Sequence, residues 1–176
     1  MEITNYGVTL RKLTEDKLEM IRNWRNDQKI VQYMEYKEYI TPEMQKKWFD
    51  KINNINNFYF LIVIDNKEIG LINIRDIDYG LLEGEGGIYI YNEEYLNSDI
   101  SFRSVLTLFS FCFENLNLNK IKAHILKSNK RAIKYNIAIG YKLIESKSNN
   151  LVENQLYELT KDDFLNKKII IEQLLN

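Results

Sequence analysis

The feature that most constrains the fold is a strand–helix–strand segment in the second half of the chain. The run GGIYIY at 86–91 alternates as a strand does, a long apolar helical pattern follows from about Asp99 to Leu116, and KIKAHIL at 120–126 is a further strand. A crossover through a helix is right-handed and leaves its two strands parallel. The segment therefore predicts two parallel neighbouring strands with a helix packed on them.

The segments before this crossover predict further strands and helices of the same sheet. GVTLRKL at 7–13 is interpreted as the first strand, and Thr41 followed by Pro42 is a strong start signal for a helix. FYFLIVI and EIGLINIRDI, separated by a short polar turn, predict a hairpin. The run EGEGG at 83–87 is interpreted as a turn that leads into a strand, because it lacks the G-x-G-x-x-G spacing of a dinucleotide loop.

The end of the chain predicts two helices and one more hairpin. A helix up to Ile139 would end at Gly140, YKLIES and NQLYEL would pair across the loop KSNN, and a terminal helix would cover 160–175. The three consecutive isoleucines of that helix exceed one helical face, so contact with a second surface, as in a homodimer, is an alternative to closing the domain. The order of elements predicts a single α/β domain over residues 1–176, built on a mixed twisted sheet flanked by helices.

Composition excludes several classes of function. The chain has 176 residues and a net charge of −1 with acids and bases interspersed, so it lacks the basic face that nucleic acid would require. The longest apolar run, FYFLIVI, is far shorter than the ~20 residues that span a bilayer, so no membrane partner is expected. The single cysteine, Cys112, allows no internal disulfide, which fits a reducing compartment, and we expect a cytoplasmic protein.

A motif around the last crossover carries a resemblance to a known family. A strand is followed by N-x-x-A, a helix, and then glycine with an aromatic residue, which here are Asn129, Ala132, Gly140 and Tyr141. This pattern and the order of elements resemble the GCN5-related N-acetyltransferase (GNAT) fold over about residues 8–145. LNLNKI before the strand is also typical of the branch that resembles ribosomal-protein alanine acetyltransferases.

The N-terminal half narrows the resemblance. Trp-Arg-Asn at 24–26, Tyr-Met at 33–34 and Trp-Phe at 48–49 are similar to the amino-sugar N-acetyltransferases of pseudaminic-acid biosynthesis. Those enzymes acetylate the 4-amino group of a UDP-linked dideoxy sugar, with acetyl-coenzyme A as co-substrate and without a metal. The resemblance implies that the acceptor pocket is framed by Arg25, Tyr33, Met34, Gln45 and Trp48. The alternative for Trp48, and for Trp24 beside it, is a place in the core, because both lie on apolar helix stripes.

The resemblance also implies where coenzyme A would bind. Backbone groups of a central strand hold the pantetheine arm, and a loop before a helix holds the pyrophosphate. The residues that match these positions are Ile90, Tyr91, Asn92, Asn97, Ser98, Asp99, Ser101, Asn129 and Asn136.

The pyrophosphate loop departs from the family pattern Q/R-x-x-G-x-G/A at all three patterned positions. Leu96 lacks a polar side chain, and Asp99 would bring a carboxylate towards the phosphates, at about 1 kcal/mol per charge pair in water. On this interpretation Asp99→Gly tightens coenzyme binding. The alternative is that Ser98 or Asp99 simply caps the following helix.

The chemistry needs a base for the amine and a proton for the departing thiolate. Glu85, or Glu83, is the candidate base, with solvated turn acids as the alternative. Many relatives have a tyrosine four residues after the alanine of N-x-x-A, where this chain has Asn136, with Tyr135 one helical step away. His124 is expected to be a sheet-surface residue.

Three functions remain open from the sequence. The first is acetyl transfer to a UDP-linked amino sugar by direct attack in a ternary complex. The second is acetylation of a protein N-terminus or a small amine. The third is a non-catalytic GNAT-like protein that binds a ligand.

Overall fold

The computed structural model describes residues 1–144 and 153–175, which form one eight-stranded sheet with helices on both faces. The strands are β1 (Glu2–Asn5), β2 (Val8–Lys12), β3 (Phe58–Ile64), β4 (Lys67–Asp78), β5 (Glu83–Ile90), β6 (Lys120–Leu126), β7 (Lys142–Leu143) and β8 (Asn154–Thr160). The α-helices are α1 (Leu18–Asn26), α2 (Gln28–Val31), α3 (Pro42–Ile52), α4 (Ile100–Glu114), α5 (Lys130–Ile139) and α6 (Lys161–Leu175). Short 3₁₀ helices cover Glu15–Lys17 and Glu93–Tyr95.

The strand order is β1-β2-β3-β4-β5-β6-β8-β7. Neighbouring strands are antiparallel except β5 and β6, which are parallel and joined through α4. The predicted crossover and the mixed sheet are therefore confirmed. The last hairpin is also present, since β7 pairs with β8, although its predicted loop KSNN lies outside the described residues.

Side-chain and glycine caps hold the predicted helix ends. The Thr41 hydroxyl accepts a hydrogen bond from Met44 N–H at 3.3 Å, and Asn129 Oδ1 accepts one from Ala132 N–H at 3.0 Å. Gly140 has φ +115°, a left-handed conformation that glycine adopts without the steric penalty of a Cβ atom. These ends fix where α3 and α5 begin and where α5 stops.

Two predictions about strands need correction, although GVTLRKL does form a strand, β2. The first strand is β1 and not GVTLRKL, because the turn at Tyr6 and Gly7, both with positive φ, folds Glu2–Asn5 back onto β2. EGEGG belongs to β5 itself and is not a turn. Its glycines leave room for close neighbours: a Cβ on Gly86 would lie 3.1 Å from Ile121 Cγ2 and 3.1 Å from Phe109 Cζ.

The sheet separates two apolar clusters. On one face, α1 and α3 pack over β3 and β4 through residues such as Ile21, Phe49 and Leu61. On the other face, α4 and α6 cover the sheet with residues such as Leu106, Phe113 and Phe164. Cys112 is fully buried in this second cluster, where it packs among apolar side chains. Within the described residues, we find no helix with the length and apolar character needed to cross a membrane.

We expect Gly140→Ala to destabilise the fold more than Gly7→Ala. Both glycines have positive φ, which costs alanine about 1–2 kcal/mol. A Cβ at Gly140 would also lie 3.0 Å from Lys167 Cγ and 3.2 Å from the Asp163 carbonyl oxygen, whereas nothing lies within 4 Å at Gly7. Crowding should add about 1–3 kcal/mol at Gly140 alone. Urea unfolding of both variants measures the difference, and an equal loss at the two sites would contradict the packing of α5 against α6.

Candidate active site

The parallel pairing of β5 with β6 stops part of the way along both strands. Its register is Glu83 with Lys120, Gly84 with Ile121 and Glu85 with Lys122. Beyond that point β5 stays paired with β4 as far as Ile90, and β6 stays paired with β8 as far as Leu126. The two strands therefore diverge, and an opening lies between them.

Backbone groups of β5 face this opening. Tyr91 N–H donates to the Ile69 carbonyl oxygen at 2.8 Å, so Tyr91 faces β4. Since successive residues of a strand direct their N–H and C=O groups to opposite edges, those of Ile88 and Ile90 point towards β6, which no longer pairs with them. They are hydrogen-bonding groups left over for a ligand in the opening.

A cleft of about 1400 Å³ runs through the opening, from the N-termini of α4 and α5 to the face covered by α1 and α3. Most of the predicted site residues line it: Arg25, Tyr33, Met34, Gln45, Trp48, Glu85, Ile90, Tyr91, Asn97, Ser98, Ser101, Asn129, Tyr135 and Asn136. The structure thus brings them together, while the role of each stays a prediction.

Asn92 and Asp99 do not line the cleft, and both expectations need correction. Asn92 N–H donates to the Ile69 carbonyl at 3.1 Å, and its side chain accepts from Glu94 N–H at 3.1 Å. Asp99 lies 2.8 Å from Arg103, whose hydrogen bond lowers the pKa of the carboxyl group. The Asp99 charge is therefore neutralised on the side of α4 that faces away from the cleft.

Ser98 provides the cap of α4 that the sequence left open between two residues. Its hydroxyl donates to the Tyr95 carbonyl at 2.8 Å and accepts from Ile100 N–H at 3.3 Å. Asp99 makes no capping bond. The next amides of the first turn have no intrahelical partner, so this helix end remains suited to an anion even without glycine.

Arg131 is a cleft residue that the sequence analysis did not single out. Its guanidinium donates to the Leu96 carbonyl and lines the cleft beside the start of α5. It thus brings a positive charge to the loop position where Leu96 itself offers none. The sequence feature that could have indicated Arg131 is its position inside the N-x-x-A motif, directly before Ala132.

Glu85 is held by two basic side chains at the point where β5 and β6 diverge. Its Oε1 accepts from Arg75 Nη2 at 2.5 Å, and its Oε2 lies 3.1 Å from His124 Nδ1. Glu83 does not line the cleft, because it is paired with Lys122 and Lys120. His124 lies on the surface of the sheet and also lines the cleft.

Two residues of α5 lie beside the cleft and each donates a side-chain hydrogen bond to a backbone carbonyl group. Asn136 Nδ2 donates to the Ala132 carbonyl at 2.8 Å. The Tyr135 hydroxyl donates to the Ser101 carbonyl at 2.7 Å, and burial raises the pKa of Tyr135. Tyr135 therefore ties α5 to the first turn of α4, and its predicted catalytic role would require that bond to break.

The other end of the cleft contains polar atoms that are buried without a partner among the described residues. They are Arg25 Nε, Asn73 Oδ1 and the Tyr89 hydroxyl. Burial raises the pKa of Tyr89, so its hydroxyl stays protonated and can donate. Asn73 was visible as a polar residue inside the apolar strand GLINI, but only the fold shows which way it points.

The two tryptophans near this end differ. Trp24 is 7% exposed and stacks on Tyr91 with ring centroids 4.9 Å apart, so it belongs to the core. Trp48 packs edge-on against Tyr59 at 5.1 Å and also lines the cleft. The alternative that these tryptophans belong to the core therefore holds for Trp24 and only in part for Trp48.

Comparison with known proteins is consistent with this geometry. The acetyltransferase (GNAT) domain family matches residues 8–142. Acetyltransferase PseH of Campylobacter jejuni subsp. jejuni serotype O:23/36 (strain 81-176) is 31% identical over 134 residues, which are 70% of this chain and 75% of that protein.

Two solved structures share the fold. FdhC without ligand, described as a nucleotide-linked sugar GNAT, has a TM-score of 0.81 at 21% identity over 100% of this chain and 99% of its own. Spermidine N-acetyltransferase from Vibrio cholerae, in complex with CoA and spermine, has a TM-score of 0.77 at 21% identity over 92% and 100%. With the family match over most of its length, the chain belongs to the GNAT family of acetyltransferases.

Proposed function

We propose that this protein transfers acetyl from acetyl-coenzyme A to the amino group of a UDP-linked amino sugar, by direct attack in a ternary complex. The observation that carries the proposal is the single cleft that passes between β5 and β6. A thioester held in the opening would meet an amine that enters from the face of α1 and α3. Two substrates bound at the two ends of one cleft need no acetyl-enzyme intermediate.

The coenzyme end offers three kinds of group for a phosphorylated, amide-rich ligand. Backbone groups of Ile88 and Ile90 suit the amides of a pantetheine arm. The first turns of α4 and α5 suit phosphate, and Arg131 adds a cation between them. These groups take the place of the glycines that the loop lacks.

Charge at the acceptor end favours an anionic substrate over a polyamine. Each carboxylate that lines the cleft already has a partner: Glu85 has Arg75 and His124, Glu93 has Lys29 at 3.4 Å, and Glu35 accepts from Asn154 at 3.1 Å. Arg25 instead has a buried Nε without a partner in the described part of the chain. Guanidinium binds phosphate well, so a sugar nucleotide fits this end better than a polycation does.

The relatives support the same choice. The sequence resembles amino-sugar acetyltransferases, PseH is 31% identical, and FdhC is described as acting with nucleotide-linked sugars. The Vibrio cholerae enzyme acetylates spermidine on the same fold, so a polyamine is the second candidate and the natural comparison substrate.

We expect turnover with a UDP-linked 4-amino dideoxy sugar and acetyl-coenzyme A, measured as release of free thiol. The kcat/KM should exceed that for spermidine by at least about 100-fold, because the carboxylates among the described residues of the cleft already have hydrogen-bonding or ionic partners, whereas Arg25 has a buried Nε that can contact an anion. The reverse preference would contradict the sugar assignment. Failure to bind acetyl-coenzyme A at millimolar concentration in calorimetry would contradict the whole proposal.

A variant at the acceptor end provides the control for this assay. Arg25→Gln should raise KM for the sugar nucleotide about 10–100-fold and leave KM for acetyl-coenzyme A unchanged, because it removes one charge-assisted contact. Lys51→Gln, on the exposed side of α3, removes a positive charge away from the cleft and should change neither constant.

Coenzyme affinity should depend on Arg131 and not on Asp99. Asp99→Asn should leave the Kd for acetyl-coenzyme A within about twofold, because its charge is already paired with Arg103. Arg131→Ala should weaken binding about tenfold. Tightening by about fivefold in Asp99→Asn would instead mean that the carboxylate repels the pyrophosphate.

A further inference from the structure

Two side-chain contacts, an ion pair and a carboxylate–imidazole contact, cross from β5 to β6 on the face that leads into the cleft. The register places Glu83 opposite Lys120 and Glu85 opposite Lys122. Each glutamate nevertheless contacts the β6 side chain two residues further on: Glu83 contacts Lys122, and Glu85 contacts His124. His124 is therefore the first side chain of β6 on this face beyond the last paired position.

That position puts the imidazole where the two strands separate. The cleft passes through this opening, and His124 lines it. If the proposed function is correct, the thioester lies in the same opening. His124 is then the first titratable side chain of β6 on this face beyond the last paired position.

The carboxylate of Glu85 is poorly suited to accept a proton itself. Its side chain is 17% exposed, one oxygen accepts from Arg75 at 2.5 Å, and the other faces His124. Protonation would cost the ion pair with Arg75, because a neutral carboxyl group no longer attracts the guanidinium. A partly buried carboxylate whose two oxygens both have partners is better suited to orient a neighbour than to act as a base.

His124 has the complementary properties. Its side chain is 41% exposed, and Nδ1 faces the Glu85 carboxylate at 3.1 Å. A carboxylate at Nδ1 favours the tautomer with the proton on that nitrogen, which leaves the lone pair on Nε2. We find no hydrogen bond to Nε2 from residues 1–144 or 153–175, so the lone pair remains available.

We infer that His124 is the general base of the acetyl transfer and that Glu85, anchored by Arg75, is the positioning residue that sets its tautomer. The inference rests on the proposed function and goes beyond it, because the resemblance assigned the base to a glutamate. His124 is the catalytic residue in this arrangement, and Glu85 acts through it.

The proton balance is complete with the two substrates and solvent. His124 Nε2 takes one proton from the substrate ammonium group, and the freed lone pair forms the C–N bond to the thioester carbon. The C–S bond then breaks with its electron pair on sulfur, and the second nitrogen proton neutralises the thiolate. The imidazolium finally releases its proton to solvent.

Charged groups around the ring are paired among themselves. A general base must be unprotonated to act, so a fall in rate at low pH reports on the base in kinetic data. The groups that face His124 from the neighbouring strands are Glu83 and Glu85 on β5, Arg75 on β4, Lys122 on β6 and Glu158 on β8.

The tautomer can be tested without any substrate, because His124 is the single histidine of the chain. In untagged protein with ¹⁵N-labelled histidine, long-range ¹H–¹⁵N spectra recorded at alkaline pH distinguish the two tautomers of a neutral ring. We expect the proton on Nδ1 in the native protein and a mixture of tautomers in Glu85→Gln. A native ring protonated on Nε2 would overturn the inference even if turnover were never found.

Kinetics tests the role of the ring. His124→Gln should lower kcat about 100-fold, keep KM for acetyl-coenzyme A and abolish the fall in rate at low pH. Glu85→Gln should lower kcat less, about tenfold, and retain that fall, because the base is still present. The matched control is Lys122→Gln, on the same strand and the same face, which should stay within about twofold of the native rate.

The opposite pattern identifies Glu85 as the base. In that case Glu85→Gln would lose more activity than His124→Gln, and Glu85→Gln would be the variant without the fall at low pH. Absence of turnover in the native protein, with Nδ1 protonated as expected, would instead count against the proposed function and not against the pairing of Glu85 with His124.

Discussion

The place where β5 stops pairing with β6 creates the opening on which the proposed site depends. Pairing up to Glu85 and Lys122 holds the two strands parallel, so side chains on both strands share one face. Beyond that point β5 and β6 no longer pair, so the backbone N–H and C=O groups of Ile88 and Ile90 are available and a ligand can enter between the strands. Further pairing between β5 and β6 would use these backbone groups for strand hydrogen bonds and close the opening.

The two ends of the cleft divide the work between backbone and side chains. At the proposed coenzyme end, Arg131 complements the amides of β5 and of two helix starts, and Arg103 neutralises Asp99. At the proposed acceptor end, buried side-chain atoms of Arg25 and Tyr89 have no hydrogen-bond partner within the described part of the chain. Backbone groups suit a coenzyme shared by a whole family, whereas side chains can distinguish one amine from another.

Local patterns predicted much of this fold, because caps and periodicity act over a few residues. Thr41 and Asn129 cap their helices as expected, and the crossover joins parallel strands. The glycines of EGEGG were misjudged, since their purpose is close packing across the sheet and not a turn. Nothing near Gly86 in sequence indicates that Phe109 and Ile121 lie against it.

Most residues named from the sequence line the cleft, but the sequence did not indicate the directions of their side chains. Asp99 falls at the loop position that the resemblance gives, yet an ion pair one turn along α4 turns its charge away. His124 had no sequence motif, and its contact with Glu85 depends on the register of two strands separated by a whole helix. Such pairings are fixed by tertiary structure, which a single sequence does not display.

Amide hydrogen exchange with and without acetyl-coenzyme A tests most directly whether the opening between β5 and β6 holds the coenzyme. Because alternate residues face opposite edges, the amides of Ile88 and Ile90 should become strongly protected, while those of Tyr89 and Tyr91, which face β4, should change little. Equal protection of all four amides, or none at Ile88 and Ile90 under saturating coenzyme, would contradict this assignment.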